Sequence, residues 1–295
     1  MPYFRDVSLA MRIDAELNPN LTKTLRRFVA ESQTLRPMAI RALGLWSVVQ
    51  QFGLDPVRFV TSVARLPQYT RDLVRFRRQA SRAQHRIPIR SLKPELGDYS
   101  DSAGMARGHY FHQDLWAARR IFALRPDQHL DVGSRIDGFV AHLLSFMPVK
   151  VVDVRPLLSD VPGLEFVQSD ATSLDAWSDN SMMSVSSLHA VEHFGLGRYG
   201  DPIDPDGSFK AMRALSRVLK PGGRLYFSVP IGIKRIEFNA HRVFSPETIL
   251  NTFLQSGLSL VRFDAVDDHG ALRTDVQPSD FARAEYACGL FEFTK

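Results

Sequence analysis

Residues 187–197 read SLHAVEHFGLG and set His189, Glu192 and His193 within five positions of one another. A neutral imidazole beside a carboxylate is a general base whose tautomer the acid can hold, the pairing that takes a proton from a hydroxyl as it attacks an electrophile. His193, adjacent to Glu192, is the preferred base; His189 falls nearer the end of the preceding apolar run. Further acidic and small residues follow other apolar runs. LDVGSRIDGF, residues 130–139, carries Asp131 and then Gly133, where a side chain would block the approach of a ligand. Asp153 closes the next run, at a position where an acid accepts hydrogen bonds from both hydroxyls of a ribose. Asp170 and Ala171, in FVQSDATSL, close a third run, where the carboxylate can accept from a purine amino group and the amide can donate to a ring nitrogen. Taken singly, each of these is also an ordinary turn residue or helix cap. Their ordered recurrence is the functional signal.

The positions just named require elements that present strand ends side by side. From about residue 128 short apolar runs alternate with helical patterns. The runs predict strands over 129–132, 150–154, 164–167, 182–187 and 224–229, helices over 138–146 and 208–219, and a capped helix opening at Ser245-Pro246. Two strands in succession, 258–266 and 286–294, close the pattern. Alternation of this kind predicts an α/β fold with a doubly wound, mostly parallel, seven-stranded sheet, and the final pair an antiparallel edge. In such a sheet ligands bind outside the carboxyl ends of the strands, where the candidate residues fall.

Residues 1–95 differ in character and are expected to form a basic helical extension preceding the domain at 96–295. They hold 17 Lys and Arg against 7 Asp and Glu, whereas the remainder holds 20 against 25. Helical spacing over 20–36 and 40–53, and a cap at Asp55-Pro56, predict helices, and arginines recur from Arg65 to Arg90. A solvated helical face accounts for such a run, and contact with an anionic membrane surface is the special reading. Aromatic residues are sparse among these arginines, which disfavours single-stranded nucleic acid. No apolar stretch approaches the roughly 18 residues of a spanning helix, and the opening residues lack the apolar core of a secretory signal, so a cytoplasmic location is expected, peripheral to the membrane if the basic segment engages it. The single cysteine, Cys288, excludes a disulfide framework and a multi-cysteine metal site and reads as a buried residue. His109, His112, His189, His193 and His241 show no short metal-ligand spacing such as HExxH, so no metal is expected. His109, His112 and Asp114 precede the sheet and suit a lid over a bound cofactor; Asp114 also suits a helix N-cap.

LDVG at 130–133, VVDVRP at 151–156, SDAT at 169–172, SLHAVEHFGLG at 187–197 and LKPGG at 219–223 together resemble the class I S-adenosylmethionine-dependent methyltransferases. GHYFHQDLWAARRIF at 108–122, followed by HLDVGSRIDGFVAHLLSF and VVDVRPL, resembles more narrowly the DUF268 family, over roughly residues 93–295. The resemblance implies S-adenosyl-L-methionine as cofactor, with Asp131, Gly133, Arg135, Asp153, Asp170 and Ala171 lining its site and His193, Glu192 and His189 facing the acceptor. It also implies a small-molecule or glycan acceptor, in the setting of polysaccharide biosynthesis, methylated on oxygen. The chain departs from the superfamily's three-glycine turn by carrying Arg135 and Asp137 at the second and third glycine positions. Arg135 could pair with the cofactor carboxylate, pair with Asp137, or fill the pocket. The last case leaves a non-catalytic scaffold docking on a membrane or protein partner. A nicotinamide enzyme is disfavoured, because the pyrophosphate turn is missing.

Overall fold

The computed structural model describes residues 52–85, 87–100, 103, 104 and 106–295. The helix expected over 20–36, nearly all of that over 40–53, and Arg86 lie outside the described residues. Two compact units divide the chain, Met1–Gly104 and Met105–Lys295. In the first, helix α1 spans Pro56–Ala80, with Pro56 in its first turn and the Asp55 side chain accepting from the Arg58 amide at 3.0 Å, the expected cap. Arg71, Arg75, Arg77, Arg78, Arg82 and Arg90 are exposed. Among the described residues no helix is long and apolar enough to cross a membrane.

The second unit is built on one sheet. Its parallel strands are β1 (Leu130–Val132), β2 (Val149–Asp153), β3 (Leu164–Gln168), β4 (Met182–Leu188) and β5 (Leu219–Ile231). A hairpin, β6 (Arg235–Glu237) and β7 (His241–Val243), follows β5, and β8 (Ser259–Val266), β9 (Leu272–Arg273) and β10 (Ala287–Thr294) complete the set. The spatial order is β3-β2-β1-β4-β5-β10-β8-β9, with β10 antiparallel to both β5 and β8. The expected doubly wound sheet and its antiparallel closing pair are therefore present, extended to eight strands by the two-residue β9. Chain direction across the sheet reverses between β1 and β4, which places a switch point at their carboxyl ends.

Alternating side chains give each face its own core. Leu225, Phe227, Val229, Phe291 and Phe293 pack with helices α4 (Gly207–Val218) and α5 (Pro246–Gln255). Tyr226, Cys288 and Leu290 pack on the opposite face with α2 (His109–Leu124) and with Phe139, Val140 and Leu143. The Ser245 side chain caps α5 by accepting from the Thr248 amide, as the Ser-Pro pair predicts.

Three local expectations need correction. The helix expected over 138–146 is a π-turn, Ile136–Val140, closed by the Val140 amide on the Arg135 carbonyl, running into the short helix α3 (Ala141–Leu144). LKPGG does not lie between helix and strand: Leu219 already pairs with Met182 and the ladder resumes at Ser184 with Arg224, so residues 220–223 form a bulge within β5. Gly222, at φ +78°, supplies the left-handed backbone that the bulge requires, and its amide binds the Lys295 carbonyl at 2.8 Å. Asp114 does not cap α2; it lies inside the helix, buried, where its Oδ2 would stand 2.6 Å from a Cβ on Gly138.

Phe291 is fully buried, with ring centroids 4.8 Å from Phe263 and 5.8 Å from Phe293. Phe291→Ala is expected to cost about 3–5 kcal/mol by denaturant unfolding; a loss below about 1 kcal/mol would contradict this packing.

Candidate functional site

The carboxyl end of β1 is organised by a buried carboxylate. Asp131 accepts from the Ser134 amide at 3.1 Å, the Ser134 hydroxyl at 2.6 Å and the Ser186 hydroxyl of β4 at 2.5 Å. Ser134 Oγ in turn accepts from the Leu188 amide at 3.0 Å, so one acid ties the turn after β1 to the last residue of β4. His129 continues the network, its ring nitrogens 2.7 Å from Ser184 Oγ and 2.8 Å from Ser186 Oγ. Burial pushes Asp131 up to about 6, against the pull of its hydroxyl and amide donors, and His129 down to about 3. Within this turn Gly133 adopts φ +74°, and a Cβ on it would lie 3.0 Å from Ala190 Cβ. Both the backbone angle and the close approach demand glycine.

The other sequence-predicted residues occupy neighbouring strand ends. Asp153 ends β2 and is held by Arg155 in a bidentate pair, at 3.0 Å to Oδ1 and 2.6 Å to Oδ2, while the Arg155 guanidinium lies 4.3 Å over the Tyr199 ring. Asp170, exposed after β3, accepts from the Thr172 amide at 2.7 Å, and Ala171 is buried beside it in sequence. Arg135 makes a bidentate pair with Asp137, at 3.1 and 3.0 Å, and its guanidinium stands 5.0 Å from the centre of the Tyr110 ring. Of the dispositions open from sequence, pairing with Asp137 is the one observed.

After β4 the chain turns inward. His189 has a left-handed backbone, φ +49°, fixed by its amide binding the Ser228 carbonyl of β5 at 2.9 Å. Its Nδ1 lies 2.6 Å from Glu192 Oε1 and its Nε2 lies 3.1 Å from His109 Nδ1. His193 Nδ1 lies 2.7 Å from the Ala240 carbonyl, an acceptor for its N–H, and Nε2 stands 3.7 Å from Glu192 Oε1. Glu192 is fully buried, and its Oε2 has no hydrogen-bond partner among the described residues. Burial raises the Glu192 carboxyl and lowers His193, while His109 and His189 are both driven down to about 3. The three predicted catalytic residues are thus brought together, and two further groups join them that sequence reasoning did not place here: His109, expected in a lid, and Cys288, expected only to be buried. His109 meets His189 from the first turn of α2, and Cys288 reaches the same place from β10, its Sγ within 4.8 Å of a nitrogen of each ring. No short spacing announces either, because they meet only through sheet pairing. His112 is half-buried on α2, outside this cluster.

Five parallel strands in the order 3-2-1-4-5, closed by an antiparallel pair and carrying polar residues at their carboxyl ends, define a class I methyltransferase-like fold. Residues 151–273 match the family described as "Caenorhabditis protein of unknown function, DUF268", a shorter span than the 93–295 over which the motifs resemble that family. No curated protein matches the chain. Among solved structures, the 1,6-didemethyltoxoflavin-N1-methyltransferase of Burkholderia thailandensis, bound to 1,6-didemethyltoxoflavin and S-adenosylhomocysteine, is similar at 16% identity and TM-score 0.45, over 62% of this chain and 78% of that one. A TehB-like SAM-dependent methyltransferase from Corynebacterium glutamicum is similar at 22% identity and TM-score 0.41, over 61% and 86%. The [4+2]-cyclase SpnF is similar at 15% identity and TM-score 0.45, over 65% and 88%.

The buried His129 gives a pH signature. A group held below its unfolded pKa contributes stability that is present above the unfolded value, about 6.5, and is lost as pH falls toward about 3. His129→Gln is therefore expected to flatten the acid limb of an unfolding-versus-pH curve by up to about 1.4 kcal/mol per pH unit in that window. Parallel curves for the two proteins would show that His129 takes no part in the linkage.

Proposed function

We propose that this chain is an S-adenosyl-L-methionine-dependent methyltransferase acting on an oxygen of a glycan or related small acceptor. The observation that carries the reading is the ordered set at adjacent strand ends: Gly133 after β1, Asp153 at the end of β2, Asp170 and Ala171 after β3, and His189, Glu192 and His193 after β4. The cofactor supplies an electrophilic methyl group on a sulfonium. The residues present fit it. Asp153 offers two carboxylate oxygens to ribose hydroxyls at the strand end beside the Gly133 turn, which packs closely against Ala190 and Phe194. Asp170 and the Ala171 amide would take the base, with Asp131 holding the turn from beneath. Arg155, half exposed, can leave Asp153 for solvent without burying its charge. Arg135, already paired with Asp137, keeps its charge satisfied at the mouth of the turn.

For the acceptor, His193 is the residue placed to take a proton. With Nδ1–H donated to the Ala240 carbonyl, Nε2 keeps its lone pair, and Glu192 beside it stabilises the imidazolium that forms. His189 bonds to Glu192 Oε1 and positions that acid.

Asp153→Ala is expected to weaken binding of S-adenosylhomocysteine about tenfold to a hundredfold by calorimetry. Unchanged affinity would remove the ribose assignment, and a wild-type chain giving no heat at millimolar ligand would favour the scaffold reading. His193→Ala is expected to lower turnover about 10²–10⁴-fold and leave cofactor affinity intact. The wild-type rate should rise with pH and level off below the usual imidazole pKa, because the base works deprotonated and burial lowers it. Loss of cofactor binding in step with activity would make His193 architectural instead.

A further inference from the structure

The buried cluster behind Glu192 has a composition that proton transfer to an acceptor does not use. His109 Nδ1 and His189 Nε2 lie 3.1 Å apart, and Cys288 Sγ lies within 4.8 Å of a nitrogen of each ring. The three come from α2, the turn after β4 and β10, so their meeting is a tertiary event. The other nitrogen of His189, Nδ1, lies 2.6 Å from Glu192 Oε1 and can donate to it. A neutral imidazole has a single N–H. Without a cation one imidazole donates to the other across this gap; when His189 gives its proton to Glu192 instead, the facing nitrogens are left with lone pairs that a cation can take.

We propose that His109 Nδ1, His189 Nε2 and Cys288 Sγ bind a thiophilic divalent transition metal of the zinc type, with Glu192 as the carboxylate that orients His189. Zinc takes imidazole nitrogens at about 2.0–2.1 Å and thiolate sulfur at about 2.3 Å, so tetrahedral ligand atoms stand roughly 3.3–3.7 Å apart. The imidazole pair is at that spacing within a few tenths of an ångström, and the thiol closes on it by at most about 1 Å. Two imidazoles and a thiolate select zinc-like ions over magnesium or calcium, which demand oxygen. A histidine that binds metal through one nitrogen and donates its other N–H to a carboxylate is the usual supporting arrangement at such sites.

Two further observations point to a ligand. Glu192 is fully buried, and Oε2 has no hydrogen-bond partner among the described residues, which is expensive for a carboxylate unless a nearby charge compensates it. A divalent ion with the Cys288 thiolate and the Glu192 carboxylate makes a cluster of zero net charge. His189 is also held at positive φ, a strained backbone for a non-glycine residue that aims its ring at this point. Three protein ligands leave a fourth position open to water or to a ligand oxygen. The inference does not rest on methyl transfer, and metal binding is measured apart from cofactor binding.

The test uses the full chain, stripped with chelator, desalted and titrated with Co²⁺ and then Zn²⁺. Because Cys288 is the single cysteine of the chain, a thiolate-to-cobalt charge-transfer absorption reports this site alone. One equivalent of Co²⁺ is expected to produce that band, and Zn²⁺ to displace it with a Kd below about 1 µM. Cys288→Ser should abolish the band, His109→Gln should weaken Zn²⁺ binding at least about 100-fold, and Glu192→Gln should weaken it about 10–100-fold. His112→Ala, on α2 but outside the cluster, should leave binding unchanged. A wild-type chain that gives no thiolate band overturns the proposal whatever the variants do. Stoichiometric Zn²⁺ binding that survives both Cys288→Ser and His109→Gln overturns it equally.

Discussion

Everything at the carboxyl end of this sheet depends on how Asp131 is satisfied. A carboxylate with no exposure must find donors inside the protein, and Asp131 finds three, two from Ser134 and one from Ser186. Those bonds fix the turn after β1 to the adjacent strand, and Ser134 passes the constraint to the Leu188 amide. The residue after Leu188 is His189, so the glycine turn and the histidine-acid segment are held in one register. Their separation is set by the contact between Gly133 and Ala190, which has no room for a side chain.

The polar groups above this anchor are arranged in two layers. Nearer the surface, Asp153 and Arg135 are paired with Arg155 and Asp137, and these half-exposed partners are screened by solvent. Deeper, Glu192, His189 and Cys288 are removed from water, with the half-buried His109 beside them, so a change of proton there is felt strongly. The same sheet thus carries an outer set of solvent-screened ion pairs and an inner set shielded from water.

Much of this was legible in the sequence because it is local. Apolar runs separated by helical patterns determine the parallel sheet, since strand and helix periods differ and crossover connections have little alternative. The order of Gly133, Asp153, Asp170 and His189 through His193 follows from the same pattern, because a strand's carboxyl end is defined as soon as the strand is. The caps at Asp55 and Ser245 were likewise written in neighbouring residues. The LKPGG bulge and the π-turn were not, because each depends on a pairing partner or a packed neighbour, Met182 in one case and Asp114 in the other.

By itself the sequence determined the fold class and the row of strand-end residues, through short-range periodicity and turn chemistry. Only the tertiary structure decided that Arg135 pairs with Asp137, that Asp114 is an interior residue, and that His109 and Cys288 join His189 near Glu192. Those outcomes are set by contacts between residues far apart in the chain, 80 positions in the case of His109 and His189. No spacing rule carries such information, because side chains on different elements meet only once the sheet has put its strands in register.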